Sequence, residues 1–272
     1  MGILLDLTSF TMKIFDHVSG DYFTFGDKQI YYEFQGNRQG SLIMFLHGGF
    51  GSVEDFKSLT PALADDYCLL GMDSPGHGKS TLGSERLSYA LIQESAEALL
   101  LHLKLDKVIL LGLSDGGIAA YHMAHAGKIH IDKLVTVGSR WHLDDALGSE
   151  EIFKKMSATS WKEKFPQTVE LYERYNPAPD FENLFKKVVA MWLDKQPTGY
   201  LNETLKDLMM PVLIARGDAD HLTARKSLAA LADLIKNAAL FNIPFAGHVA
   251  FDEQAEIFRL GLKQFLLKTD WK

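Results

Sequence analysis

The sequence predicts an α/β fold: a mostly parallel, doubly wound sheet with a helical insertion late in its path. Three observations predict it. Short apolar segments of strand character alternate with amphipathic segments of helical period, the pattern of a parallel sheet covered on both faces. The 272 residues are 47% hydrophobic, ample for burying such a sheet in one sizeable domain. The alternation stops over residues 142–208, where the chain turns helical, aromatic-rich and strand-poor.

Taken in order, residues 21–26 and 28–35 read as two strands forming an antiparallel hairpin at the N-terminal edge of the sheet. Ser41–Leu46 reads as a strand running into His47-Gly48-Gly49-Phe50-Gly51-Ser52. An amphipathic stretch predicts a helix over 54–64, and the apolar run 67–72 is the next strand, followed by the turn Asp73–Ser80. A helix over 88–104, a strand over 107–113, a helix over 115–126 and a strand over 133–138 continue the alternation. After the insertion come a strand at 211–217, a helix at 224–236, a strand at 239–243 and a helix at 253–268. No internal repeat or low-complexity segment interrupts this reading.

The expected division is a core of residues 1–141 and 209–272, with 142–208 inserted as a helical cap over the C-terminal ends of the strands. The cap aromatics include Trp161, Phe165, Tyr172, Tyr175, Phe181, Phe185, Trp192 and Tyr200, and about two in three of them, not individually assigned, are expected to form its own core. The remainder line an apolar pocket that admits substrate and excludes water. Pro177-Ala178-Pro179 and Pro197-Thr198-Gly199 read as turns within it.

The chemistry centres on Gly112-Leu113-Ser114-Asp115-Gly116-Gly117, placed after a strand and before a helix. A serine on such a sharp turn projects its hydroxyl away from the backbone, and the glycines let strand and helix pass closely. Serine is a weak nucleophile at neutral pH, so it needs a histidine to take its proton and a carboxylate to hold that imidazole. Two later strands end in loops that carry such groups, Asp218-Ala219-Asp220 after Gly217 and Pro244-Phe245-Ala246-Gly247-His248 after Ile243. The order Ser, Asp, His along the chain is that of a strand–elbow–helix nucleophile and not that of chymotrypsin or subtilisin.

On these residues the chain resembles the α/β-hydrolase superfamily over almost its whole length. The resemblance implies an α/β-hydrolase fold with Ser114 at the nucleophile elbow, Asp220 at the acid position and His248 on the last catalytic loop. Asp218 is the rival acid, and His221 beside Asp220 reads as an ordinary loop residue. His47–Ser52 resembles the family's His-Gly oxyanion loop, which implies backbone N–H donors at Gly49 and Asp115, with Phe50 as the fallback. His47 is expected to brace this loop, and His77 to be structural.

A serine nucleophile, rather than an aspartate, argues against dehalogenase or epoxide-hydrolase chemistry and for cleavage of a small-molecule ester through an acyl-serine. No metal and no cofactor enters this expectation. Ser114-Asp115-Gly116-Gly117 and the cap stretch from Lys164-Phe165-Pro166 to Trp192 look similar to the biphenyl-hydrolase-like, valacyclovir-hydrolysing esterases. In that group the acidic residue after the nucleophile helps bind the α-amino group of an aminoacyl ester. Asp115 matches it, whereas Leu113 stands where tryptophan is usual. The other reading is that Asp115 caps the following helix. Asp115 and Phe50 are the candidate substrate contacts. The alternatives are a meta-cleavage-type carbon–carbon bond hydrolase or a cofactor-free perhydrolase on the same triad, and, in another class, a hydrolase-fold small-molecule receptor.

Composition restricts the partners. A net charge of -7 and the lack of a basic stripe argue against nucleic acid. The lone Cys68 lies in the apolar run Tyr67–Gly71, so no disulfide framework exists and a buried thiol in a reducing compartment is expected. Met1–Leu7 lacks a basic n-region and makes a poor signal peptide, and no apolar run reaches 18 residues. A cytoplasmic protein with a small-molecule substrate and no membrane partner is expected, with its oligomeric state left open.

Overall fold

A computed structural model of the protein describes residues 14–270, so Met1–Leu7 lies outside the described residues. Strands β1 (Asp21–Phe25) and β2 (Lys28–Gly36) form an antiparallel hairpin at one edge of the sheet. β3 (Ser41–Leu46) and β4 (Tyr67–Met72) follow, then α1 (Tyr89–His102), β5 (Lys107–Leu113), α2 (Asp115–Ala126) and β6 (His130–Val137). Five helices come next: α3 (Leu143–Leu147), α4 (Glu150–Lys155), α5 (Ala158–Lys164), α6 (Pro166–Tyr175) and α7 (Phe181–Trp192). β7 (Val212–Gly217), α8 (Arg225–Leu234), β8 (Ala238–Ile243), α9 (Ala250–Glu253) and α10 (Ala255–Leu267) complete the path.

The eight strands pair in the order β1-β2-β4-β3-β5-β6-β7-β8. β2 is antiparallel to both its neighbours, and every other pairing is parallel. Alternate residues of a strand point to opposite faces, so a run such as Leu42–Leu46, apolar throughout, must be covered on both sides. Leu42, Met44 and Leu46 join one apolar layer, with residues of α1, α2 and α8. Ile43 and Phe45 join the other, with Phe258, Leu262 and Phe265 of α10. This two-sided burial fixes the strand register, because a slip of one residue would exchange the two faces of every strand.

The helix expected over 54–64 does not form. Two 3₁₀ turns stand there instead, Val53–Phe56 and Thr60–Ala62. Pro61 lacks the N–H a continuous helix would need and disfavours helical geometry at Thr60. Ser52 caps the first turn, its side chain accepting the Glu54 N–H. The C-terminal helix likewise starts earlier than expected, as the separate turn α9, and breaks at Gln254 (φ -133) before α10.

Helices α5 and α7 lie against the loop that follows β3 and the start of α2, through ring contacts of Trp161 and Trp192 to Phe50 and a hydrogen bond from Trp192 to Asp115. Asp180 caps α7 by accepting the Asn183 N–H at 3.0 Å. No helix among the described residues is long and apolar enough to cross a membrane.

Candidate active site

β5 ends at Leu113 and α2 begins at Asp115, leaving Ser114 to make the turn at φ 51 and ψ -117. A non-glycine residue held there stores on the order of 1–3 kcal/mol, and the surroundings must impose it. They do so by hydrogen bonds: the Ser114 N–H donates to Val137 O at 2.8 Å, and Ser114 O accepts from Gly117 and Ile118 at 3.0 and 3.2 Å. Gly116 permits the close passage, since a Cβ there would stand 2.0 Å from Leu46 O. Among the described residues none hydrogen-bonds Ser114 Oγ. Catalytic hydrogen bonds of this kind are often long before a substrate arrives.

β5, β6, β7 and β8 are consecutive in the sheet, so the loops at their C-terminal ends converge. The loop after β7 carries Asp220 and the loop after β8 carries His248. His248 Nδ1 donates to Asp220 Oδ2 at 2.9 Å. The Asp220 side chain is fully buried and also accepts from Leu222 N at 2.8 Å and Thr223 Oγ1 at 2.6 Å. Burial opposes its ionisation, yet His248, Thr223 and Leu222 outweigh it and hold the carboxyl below the usual range. Gly138, at the end of β6, makes the space for this pair. A Cβ there would lie 2.9 Å from the imidazole and 3.2 Å from Asp220 Oδ2. Its neighbour Val137 is the residue that holds the Ser114 amide, so the elbow and the Asp220–His248 pair share one strand end.

Asp218 is turned elsewhere. It pairs with Arg225 and accepts from Asn242 Nδ2 at 2.8 Å, with 37% of its side chain exposed. Arg216, buried in β7, braces the acid loop by donating from Nη2 to Asp220 O and Thr223 O, both at 3.0 Å. The sequence signal for Arg216 is a lone charge inside the apolar run Pro211–Gly217, which the motif reading passed over.

The loop after β3 meets the elbow from the other side. A Cβ on Gly48 would lie 3.3 Å from Ser114 Cβ. His47 is buried and fixed at both nitrogens, Nδ1 to Gly48 O at 2.7 Å and Nε2 from Ser74 N at 2.9 Å. Burial lowers its pKa, so a neutral ring with the proton on Nδ1 satisfies both bonds. His77 is buried against Pro75 O, and burial pulls its pKa down to about 3. Phe50 has a left-handed backbone, φ 62, and the residue is only 4% exposed. Its ring packs against Trp161 of α5 and Phe181, Phe185 and Trp192 of α7, at 4.6 to 5.6 Å between centroids.

Asp115 does not cap α2: no side-chain capping bond is made at that helix end. Its carboxylate, on a residue 5% exposed, accepts instead from Tyr89 Oη at 3.1 Å and Trp192 Nε1 at 2.7 Å. Burial raises its pKa, against the pull of these two donors. Tyr89 gave no sequence signal, and Trp192 none beyond being one cap aromatic among several. No cluster of three His, Cys, Asp or Glu side chains suited to a metal ion occurs among the described residues.

A sequence model of the α/β-hydrolase fold family matches residues 41–188, which include β3, the loop after it and the elbow. The chain belongs to the α/β-hydrolase fold family. It is 25% identical over 244 residues to a putative esterase/lipase of Haemophilus influenzae, covering 84% of each chain. It is 27% identical over 249 residues to the pimeloyl-[acyl-carrier protein] methyl ester esterase of Pectobacterium carotovorum, covering 84% of this chain and 95% of that one. Among solved structures, an α/β-hydrolase enzyme from a Medee basin deep-sea metagenome superposes with a TM-score of 0.78 at 20% identity, over 93% of this α/β hydrolase and 99% of the other chain.

Proposed function

We propose that this α/β hydrolase is a serine esterase acting on a small-molecule ester. The observation that carries the reading is the 2.9 Å bond from His248 Nδ1 to the buried Asp220, beside the strained turn that presents Ser114. Asp220 fixes the tautomer that leaves Nε2 free to accept a proton. His248 takes the Ser114 proton as Oγ attacks the ester carbonyl, and the amides of Gly49 and Asp115 receive the negative oxygen of the tetrahedral intermediate. Collapse expels the alcohol, which takes the proton from His248 and leaves an acyl-serine. Water, activated by the same imidazole, then releases the acid. Relatives named as esterases or lipases support the bond type.

The finer part of the reading is an aminoacyl ester, as in the biphenyl-hydrolase-like group. Asp115 supports it. A carboxylate has about four acceptor sites, of which Tyr89 and Trp192 take two, and a substrate ammonium would offset the burial that raises its pKa. Core boundaries at 141 and 209 and a pocket beneath the 142–208 cap belong to the same proposal.

The test is turnover of an ester panel with fluorophosphonate labelling mapped by mass spectrometry. Steady turnover with the label on Ser114 supports the esterase. Turnover of dienoates or peroxide-dependent halogenation, with esters left intact, would move the assignment to a carbon–carbon bond hydrolase or perhydrolase. A single slow turnover coupled to a conformational change would point to a receptor.

A further inference from the structure

Trp192, the last residue of α7, reaches from the cap to Asp115, the residue after Ser114, and to Phe50 in the loop after β3. Its Nε1–H donates to Asp115 Oδ2, and its ring meets the Phe50 ring edge-on at 5.6 Å and 79°. Gly49 lies between them. A Cβ on Gly49 would stand 2.5 Å from Asp115 Oδ2 and 3.2 Å from Trp192 Cζ2. One indole therefore borders both residues whose amides are assigned to the oxyanion hole.

The Trp192 backbone is held as well. Trp192 O accepts the Tyr200 hydroxyl at 3.0 Å, the Tyr200 and Tyr89 hydroxyls lie 3.5 Å apart, and Tyr89 donates to Asp115 Oδ1. Trp192, Asp115 and Tyr89 thus form one hydrogen-bonded chain between cap and core, and the Tyr200 hydroxyl, its proton committed to Trp192 O, lies beside it. On the opposite side, Phe50 keeps a backbone conformation that a bulky residue adopts only when its surroundings impose it, and those surroundings are cap rings.

We propose that Trp192 is a positioning residue of the oxyanion hole, through which docking of the cap sets the Gly49 and Asp115 amides; this rests on the serine-esterase reading. An oxyanion hole works because its donors are aimed before charge develops, so a shift on the order of 1 Å costs about a hundredfold in rate. The indole N–H also restrains the Asp115 carboxylate, a negative group adjoining a site that must accept negative charge. Loss of that bond frees the carboxylate to move and to draw its own backbone with it.

The test is Trp192→Phe, which keeps an aromatic ring near Phe50 while removing the N–H and part of the indole's volume, with Trp192→Leu beside it. Circular dichroism establishes which variants are folded, and either one suffices. With p-nitrophenyl acetate, kcat should fall about 10- to 100-fold while KM changes less than about threefold. Affinity for a trifluoromethyl ketone, which forms the tetrahedral adduct, should fall in parallel with kcat, while affinity for acetate is retained. A purely structural role would lower the melting temperature and leave this split untouched. A wild type that hydrolyses no ester overturns both this proposal and the esterase reading. A wild type that hydrolyses esters while the folded variants keep wild-type kcat and analogue affinity overturns this one alone.

Discussion

His248 Nδ1 faces Asp220 Oδ2 at 2.9 Å, while Asp218, two residues earlier, is held by Arg225 and Asn242. The two carboxylates should therefore differ sharply on mutation. Asp220→Asn is expected to lower kcat for ester hydrolysis by roughly 10³- to 10⁴-fold, because the amide favours the wrong imidazole tautomer. Asp218→Asn should stay within about threefold, as its carboxylate is exposed and serves a surface pair. Steady-state kinetics on both decide the matter, and a reversed order would reassign the acid.

Ser114→Ala and His248→Ala should each lower kcat by roughly 10³-fold or more, and the double variant should lose little beyond the worse single one, since the groups act as a unit. Fluorophosphonate should label the wild type and fail on Ser114→Ala. Unchanged turnover by Ser114→Ala would remove the elbow from the mechanism.

Asp115 provides a test of substrate class. Esters with a free α-amine should show kcat/KM about 10- to 100-fold above their N-acetylated counterparts, the size of a charge-assisted bond worth about 1.5–3 kcal/mol. Asp115→Asn should erase most of that gap. Its amide oxygen still accepts the Trp192 N–H, so neutral esters should keep most of their turnover. Equal rates for free and acetylated amines in the wild type would leave a general carboxylesterase.

His17 joins the chain before β1 to the segments after β3 and β4 and to α6. Nδ1 and Nε2 bond Glu54 and Asp73 at 3.0 and 2.8 Å, and the ring packs on Tyr175 of α6. Burial lowers its pKa, but the hydrogen bonds and charges of Asp73 and Glu54 outweigh this and raise it to about 9. A raised folded-state pKa gives stability that is present in full below the unfolded value of 6.5 and is lost as pH rises through about 9. Wild type should lose roughly 2–4 kcal/mol across that window, and His17→Gln should flatten the loss. Denaturant midpoints measured at several pH values check it, and identical profiles would dismiss the clasp.

The sequence by itself determined the alternating sheet, the elbow turn and the loops in which Asp220 and His248 lie. Each is written locally, in apolar runs that need two covered faces and in glycines at a tight passage. Over 54–64 the apolar spacing misled, because Pro61 overrides periodicity at a point the spacing does not register. Which carboxylate meets the imidazole was decided only in the tertiary structure. Asp218 and Asp220 carry the same carboxyl, and only the resemblance favoured Asp220; the packing of Arg216, Thr223 and Gly138 turns that residue inward and leaves Asp218 partly exposed. Asp115 was settled the same way. Its partners Tyr89 and Trp192 lie 26 and 77 residues away in sequence, and no local pattern records which donors will meet a carboxylate when a cap folds over a sheet.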